Sequence, residues 1–260
     1  MLNFVAVYSA VPCAFILICV LALRWFLVPE DCKRTEWMLA ATALAIPANQ
    51  MSEFIAGSLS RLRPLKYDLF VYRLDGFVGQ PSFVIGRTVE RHLSLKVLVS
   101  VTYGFLPIML LGVFGIYLWL RSEAEALTTI KAFALNLFLS VPFYLAFPVC
   151  GPAFAFKDFP FHEPHLTPHP IFIAAPPNGV PSVHMSSALL ILWFFWQWPL
   201  GRTAGIIFLA LTIIATLGSG QHYAFDLLCA VPYAIAIVWI AAGRPTQIRR
   251  EAVSEARITS

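Results

Sequence analysis

Long apolar runs govern everything else in this sequence. Residues 4–28, 94–120, 127–148, 183–199, 203–218 and 222–242 each approach the ~20 residues that carry a helix across a hydrocarbon core. A weaker run, 37–56, is interrupted in its far half by Pro47, Asn49, Gln50 and Glu53, so it is expected to be bent or only partly inserted. The expectation is an all-α polytopic membrane helix bundle with six to seven spans. Composition agrees: 59% of the residues are hydrophobic and 12% are charged. A water-facing domain carries about 25% charged residues, and half that leaves too little polar surface to coat it.

The chain divides by composition. Residues 1–56 hold the N-terminal spans. Residues 57–92 mix Arg61, Arg63, Lys66, Arg73, Arg87 and Arg91 with Tyr67, Phe70, Tyr72, Phe77 and Phe83, the blend of a segment lying in the membrane interface. Gly76, Gly79 and Pro81 should break it into two short pieces. Residues 93–242 form the membrane core, interrupted by a proline-rich loop at 149–181 that cannot be a regular helix. Residues 243–260 are a polar tail. Arg24 follows the first apolar run rather than preceding it, which favours a retained span over a cleaved leader. Cys13, Cys19, Cys32, Cys150 and Cys229 show neither a disulfide framework nor zinc spacing. Basic residues are sparse in the spans and the net charge is only +4, so nucleic acid is not an expected partner.

Topology follows from the hairpins. Runs 94–120 and 127–148 go out and back, so segment 57–92 and loop 149–181 share a face. The pair 183–199 and 203–218 returns the chain to that same face. Arg121, Lys131, Arg202 and the tail arginines collect on the other side, joined by Lys33 and Arg34 if 37–56 spans. By the positive-inside rule the first face is then extracytoplasmic.

Two histidines and one carboxylate stand where the apolar runs stop on that face. His184 lies in Pro181-Ser182-Val183-His184, and His222 and Asp226 in His222-Tyr223-Ala224-Phe225-Asp226. Asp226 is the only acidic residue between Glu163 and Glu251, and an acid isolated in lipid-like sequence is costly without a partner. A helix of seventeen residues rises about 25 Å, so a transmembrane hairpin brings His222 back to the level of His184. Ser182 is a natural N-cap, leaving the N–H groups of Val183, His184 and Met185 at a helix N-terminus suited to phosphate. His222 and Asp226 at i and i+4 share one helix face, so the carboxylate can hold one ring nitrogen and leave the other as a nucleophile. His184 is then available as a general acid.

These residues resemble the second and third motifs of the type 2 phosphatidic acid phosphatase superfamily, Pro-Ser-x-His and His-x3-Asp. The third motif there usually carries an arginine six residues before its histidine; Thr216 holds that place. The lysine- and arginine-bearing first motif is not recognisable. The run Tyr67-Asp68 to Asp75-Gly76, then Gln80-Pro81-Ser82-Phe83, with Gly151-Pro152, is similar to the inositol phosphorylceramide synthase-like (inositolphosphotransferase) branch. The resemblance implies that His222 attacks phosphorus, Asp226 orients it and His184 protonates the leaving group. Ser182, Lys157, Lys66, Arg87 and Arg91 are the expected substrate-binding residues, the four cations standing in for the missing arginine.

The implied activity is that of an integral membrane lipid phosphatase or phosphotransferase. It would act on a phospholipid or sphingolipid-type substrate through a phosphohistidine, leaning toward inositol-phosphate-type headgroup transfer. A simple lipid phosphate phosphatase and a non-enzymatic transporter or scaffold are the alternatives. No cofactor or metal is required. His162, Glu163, His165 and His169 form a second cluster of metal-ligand types, but intervening prolines deny it a helical ligand face. Asp68 and Asp75 are expected either to cap the short helices that carry them or to meet a polar headgroup. Trp193, Phe194, Phe195, Trp196 and Trp198 are expected to face lipid.

Overall fold

The structure, a computed structural model, describes residues 17–161 and 167–242. His162, Glu163, His165, Cys13 and the tail from residue 243 lie outside the described residues, so the second histidine cluster is represented only by His169, which is exposed.

The first helix, α1, covers Leu17–Leu27 of the described chain. A 3-10 turn at Pro29–Asp31 leads into α2, Cys32–Leu62, whose backbone runs as one helix through Pro47. The weak run is therefore part of a longer helix that takes in the first residues of the basic segment. The remainder of that segment breaks as its glycines and proline require. α3 spans Asp68–Gly76 and α4 spans Pro81–Arg91, with Pro81 at the helix start and Gly79 and Gln80 both at positive φ in the turn.

α5 (Leu93–Leu120) and α6 (Glu123–Ala146) form the expected hairpin. Ser122 starts α6 with a capping box: its hydroxyl accepts from the Glu125 N–H at 3.2 Å, and the Glu125 carboxylate accepts from the Ser122 N–H at 3.2 Å. A single turn, α7 (Pro152–Ala155), opens the proline-rich loop. α8 (Val183–Phe195), α9 (Pro199–Gly218) and α10 (Ala224–Ala242) complete the bundle. Among the described residues four helices, α5, α6, α9 and α10, are long and apolar enough to cross a membrane. α8 has 13 residues, a rise of about 20 Å.

Two bodies of apolar packing position the site. The larger joins α5, α6, α8 and α10 through residues such as Val113, Ala132, Leu190, Ile191 and Ile237. Phe194 and Phe195 belong to it, so of the aromatic run only Trp193 and Trp196 are strongly exposed. The smaller core lies under the loops: Leu69, Val71, Phe83, Val149, Phe156 and Tyr223. A ladder of two residue pairs, β1 (Leu65–Lys66) against β2 (Ile171–Phe172), ties the proline-rich loop to the start of this body. Segments 63–92 and 149–181 thus share one face, as the hairpin reading requires.

Buried polar contacts fix the depth of α8. Asn136 of α6 donates through Nδ2 to Ser187 Oγ at 2.9 Å and accepts from Ser186 Oγ at 2.7 Å. Tyr233 of α10 donates to the Asn136 carbonyl at 2.6 Å. At the opposite end, Arg121 donates to Gln197 at 2.6 Å, and Arg202 sits 5.5 Å over the Trp196 ring.

Candidate active site

Ser182 caps α8 as the sequence demands: its Oγ accepts from the Met185 N–H at 3.3 Å. That bond takes up one of the three N–H groups expected to be free, leaving those of Val183 and His184 at the helix start. The Ser182 N–H donates to the Asp226 carbonyl at 3.3 Å, so the start of α8 is joined directly to the first turn of α10.

His222 does not sit on α10. The helix begins at Ala224, and His222 precedes it in the loop that follows α9. The i and i+4 residues still meet, with His222 Nδ1 3.3 Å from Asp226 Oδ2. The reason is local: the same Oδ2 accepts from the Tyr223 N–H at 2.9 Å, which folds the loop over the carboxylate. Asp226 Oδ1 is buried and makes no hydrogen bond. The rings of His184 and His222 lie 6.1 Å apart between centroids, inclined at 61°. Tyr103 of α5 packs edge-on against His184 at 4.7 Å, and a small cavity beside them is lined by Thr102, Thr212 and Thr216. Burial pushes the His222 imidazole down to about 4, opposed by a hydrogen bond to the Gly179 backbone, so the ring is neutral at pH 7.

The loop around His222 is held by backbone that only glycine allows. Gly220 has φ +69°, and a Cβ there would lie 2.5 Å from the Phe159 ring. Gly151 has φ +104°, and a Cβ there would run into the Gln221 carbonyl. Between them Ala153 N–H donates to the Gly220 carbonyl at 2.9 Å. The Gly-Pro turn at 151–152 and the loop that carries His222 therefore interlock.

The expected cations go elsewhere. Lys66 is fully buried, its ammonium on the Arg63 carbonyl, and burial lowers its pKa against the pull of nearby Cys150 and Asp68. Arg87 reaches the Pro160 carbonyl at 3.4 Å. Arg91 and Lys157 are exposed. Among the described residues, the side chain that meets the Asp226 carboxylate is that of His222.

The acids of α3 do something that sequence reading missed. Neither caps its own helix. Asp68 accepts from the Gly151 N–H at 2.8 Å, the Cys150 N–H at 3.1 Å and the Tyr223 hydroxyl at 3.1 Å. Asp75 accepts from the Ala224 N–H at 2.7 Å and the Phe225 N–H at 3.0 Å. Ser82 of α4 donates to the His222 carbonyl at 3.0 Å. Burial pushes both carboxyls up to about 6, against the backbone N–H groups that favour the charged form. The only sequence signal was an acid among aromatics at each end of a short helix.

Comparison with known proteins supplies the family. A family model described as PAP2 superfamily matches residues 71–240, a stretch that begins inside α3 and ends near the close of α10. No curated protein and no solved structure matches the chain. The matched stretch takes in both histidines, Asp226, Asp75 and the whole hairpin between them, and covers more than half of the chain. The chain therefore belongs to the PAP2 superfamily, with the phosphatase-type lipid chemistry and membrane setting that this membership carries.

Proposed function

We propose that this integral membrane protein cleaves a phosphoester of a lipid-linked substrate through a phosphohistidine on His222. One observation carries the reading: two imidazoles with centroids 6.1 Å apart, one backed by a buried carboxylate, at the ends of apolar helices. Asp226 accepts a hydrogen bond from the Nδ1–H of His222, leaving the Nε2 lone pair for phosphorus. As the N–P bond forms, the P–O bond to the leaving group breaks and His184, acting as the imidazolium, gives that oxygen its proton and is left neutral. In the second half an acceptor O–H attacks phosphorus, His184 takes the proton, and His222 is released. The N–H groups of Val183 and His184, at the start of α8, are the donors for the phosphate oxygens.

The acceptor decides between phosphatase and phosphotransferase. Headgroup transfer is the reading we favour. The α10 N-terminus is already occupied by Asp75, and the reacting phosphate is left to the two imidazoles and the N–H groups at the start of α8. A singly charged phosphodiester suits such a site better than a doubly charged monoester. Lys157, Arg87 and Arg91 are proposed to act at the headgroup or interface rather than on the reacting phosphate, while Lys66 is taken up by the Arg63 carbonyl. The catalytic face is proposed to be extracytoplasmic, and six to seven spans are the proposed topology.

The test is turnover of a panel of phospholipids labelled with phosphorus-32, comparing purified wild type with His222→Ala. Acid-labile label trapped on wild-type protein and absent from the variant is expected. Turnover that survives in His222→Ala would sink the mechanism. Label leaving as inorganic phosphate identifies a phosphatase; label in a new lipid identifies a transferase.

A further inference from the structure

We infer that Asp75 is a positioning residue: its carboxylate clamps the start of α10 and so sets where His222 stands against His184. This rests on the proposed catalytic role of His222 and extends it to a residue far away in sequence. Both Asp75 oxygens are used, one on the Ala224 N–H at 2.7 Å and one on the Phe225 N–H at 3.0 Å. These are the first two residues of α10, immediately after His222 and Tyr223. A helix N-terminus leaves its first N–H groups without intrahelical partners, and a carboxylate in that place is favoured by both hydrogen bonding and the helix dipole. Here the cap comes from across the fold rather than from the helix's own N-terminal residues.

The clamp has company on the same short segment. Ser82 holds the His222 carbonyl and Asp68 holds the Tyr223 hydroxyl. α3 and α4 therefore grip three consecutive parts of the loop: His222, Tyr223, and the N–H groups of Ala224 and Phe225. Asp75 is almost completely buried at 1% exposure, so the contacts are not solvent-averaged. Segment 63–92 is thus a brace for the nucleophile and not only an interfacial anchor. Asp226 works on His222 from the first turn of α10; Asp75 works on the backbone that joins the two.

The substitution to make is Asp75→Asn in the full chain, with Asp75→Glu beside it. An amide keeps the shape but turns a donor toward one of the two N–H groups. The expected result is a folded protein melting within roughly 4 °C of wild type. Backbone amide exchange at Ala224 and Phe225 should be roughly tenfold faster. With whichever labelled phospholipid the wild type turns over, kcat should fall about a hundredfold with KM little changed, since small misplacement of a reacting group costs that much. Asp75→Glu should recover part of kcat. An unchanged exchange rate, or an unchanged kcat alongside faster exchange, overturns the inference. Failure of the catalytic reading looks different: wild type and His222→Ala are then indistinguishable, and the positioning role falls with it while the exchange change at Ala224 persists.

Discussion

At the scale of single residues, charge is handled in two ways around the two histidines. His222 is neutral and buried, and Asp226 holds it through Nδ1. Replacing that carboxylate keeps the shape but loses the tautomer, so Asp226→Asn should retain the fold and lose about 10³- to 10⁴-fold in kcat, read from single-turnover phosphorylation of His222. Asp68 and Asp75 are buried acids lifted to about 6 from an ordinary 3.8. A folded value raised above the unfolded one means that the associated stability is complete below the unfolded value. It is lost as pH rises through about 6. The protein in detergent should therefore melt at a higher temperature at pH 5 than at pH 7.5. Asp75→Asn should flatten that slope, and equal slopes in the two proteins would contradict the assignment.

At the scale of elements, α8 and α10 are brought to the same level by different means. The capping choices are local for α8, where Ser182 serves its own helix, and remote for α10, where Asp75 serves from α3. That difference explains why Ser182 was readable as a cap and Asp75 was not. A cap inside the helix's own sequence has a fixed offset, whereas one 149 residues away is specified by packing alone. Depth is set by Asn136 gripping Ser186 and Ser187, two and three positions after His184. Asn136→Leu should cost stability of only about 1 kcal/mol, as interhelical hydrogen bonds in membranes do. It should nevertheless slow turnover more than it lowers the melting temperature, because α8 is then free to shift. Gly220→Ala is the harsher change. A Cβ meets the Phe159 ring and the φ is left-handed, so loss of folded protein in detergent extraction is expected.

At the scale of the whole molecule, the two histidines mark one end of the bundle and the short inter-helix loops the other, and cations stand at both ends. His184, His222 and the braced loops lie at one; Arg121, Arg202, Lys33 and Arg34 lie at the other, where Lys33 pairs with Glu123 at 2.9 Å. With the short loops that carry Arg121 and Arg202 in the cytoplasm, a thiol placed at the exposed Phe172 should react with an impermeant maleimide added outside intact cells. A thiol placed at the exposed Ser122 should react only after lysis. The reverse pattern would turn the molecule over and put the chemistry on the cytoplasmic side. The rim of the histidine end exposes Phe77, Phe161 and Phe172, side chains suited to the lipid interface that a membrane enzyme's substrate occupies.

Much of this was determined by sequence alone because the physics is local or periodic. Apolar runs of bilayer length specify the hairpins, Gly79 and Pro81 break the basic segment, and the spacing of His184 and His222 across one hairpin brings them together. Four features needed the tertiary structure. α8 stops at Phe195, short of Pro199, which opens α9 and holds Trp198 extended before it, and Phe194 and Phe195 pack into the core instead of facing lipid. His222 lies off its helix, because Asp226 draws the Tyr223 N–H into the loop. Lys66 turns inward, since a flexible side chain's destination is set by what surrounds it and not by its neighbours in sequence. Asp68 and Asp75 leave their own helix ends to hold the loop that carries His222, because buried N–H groups at the interlocked turns need acceptors and these carboxylates are the ones the fold puts within reach.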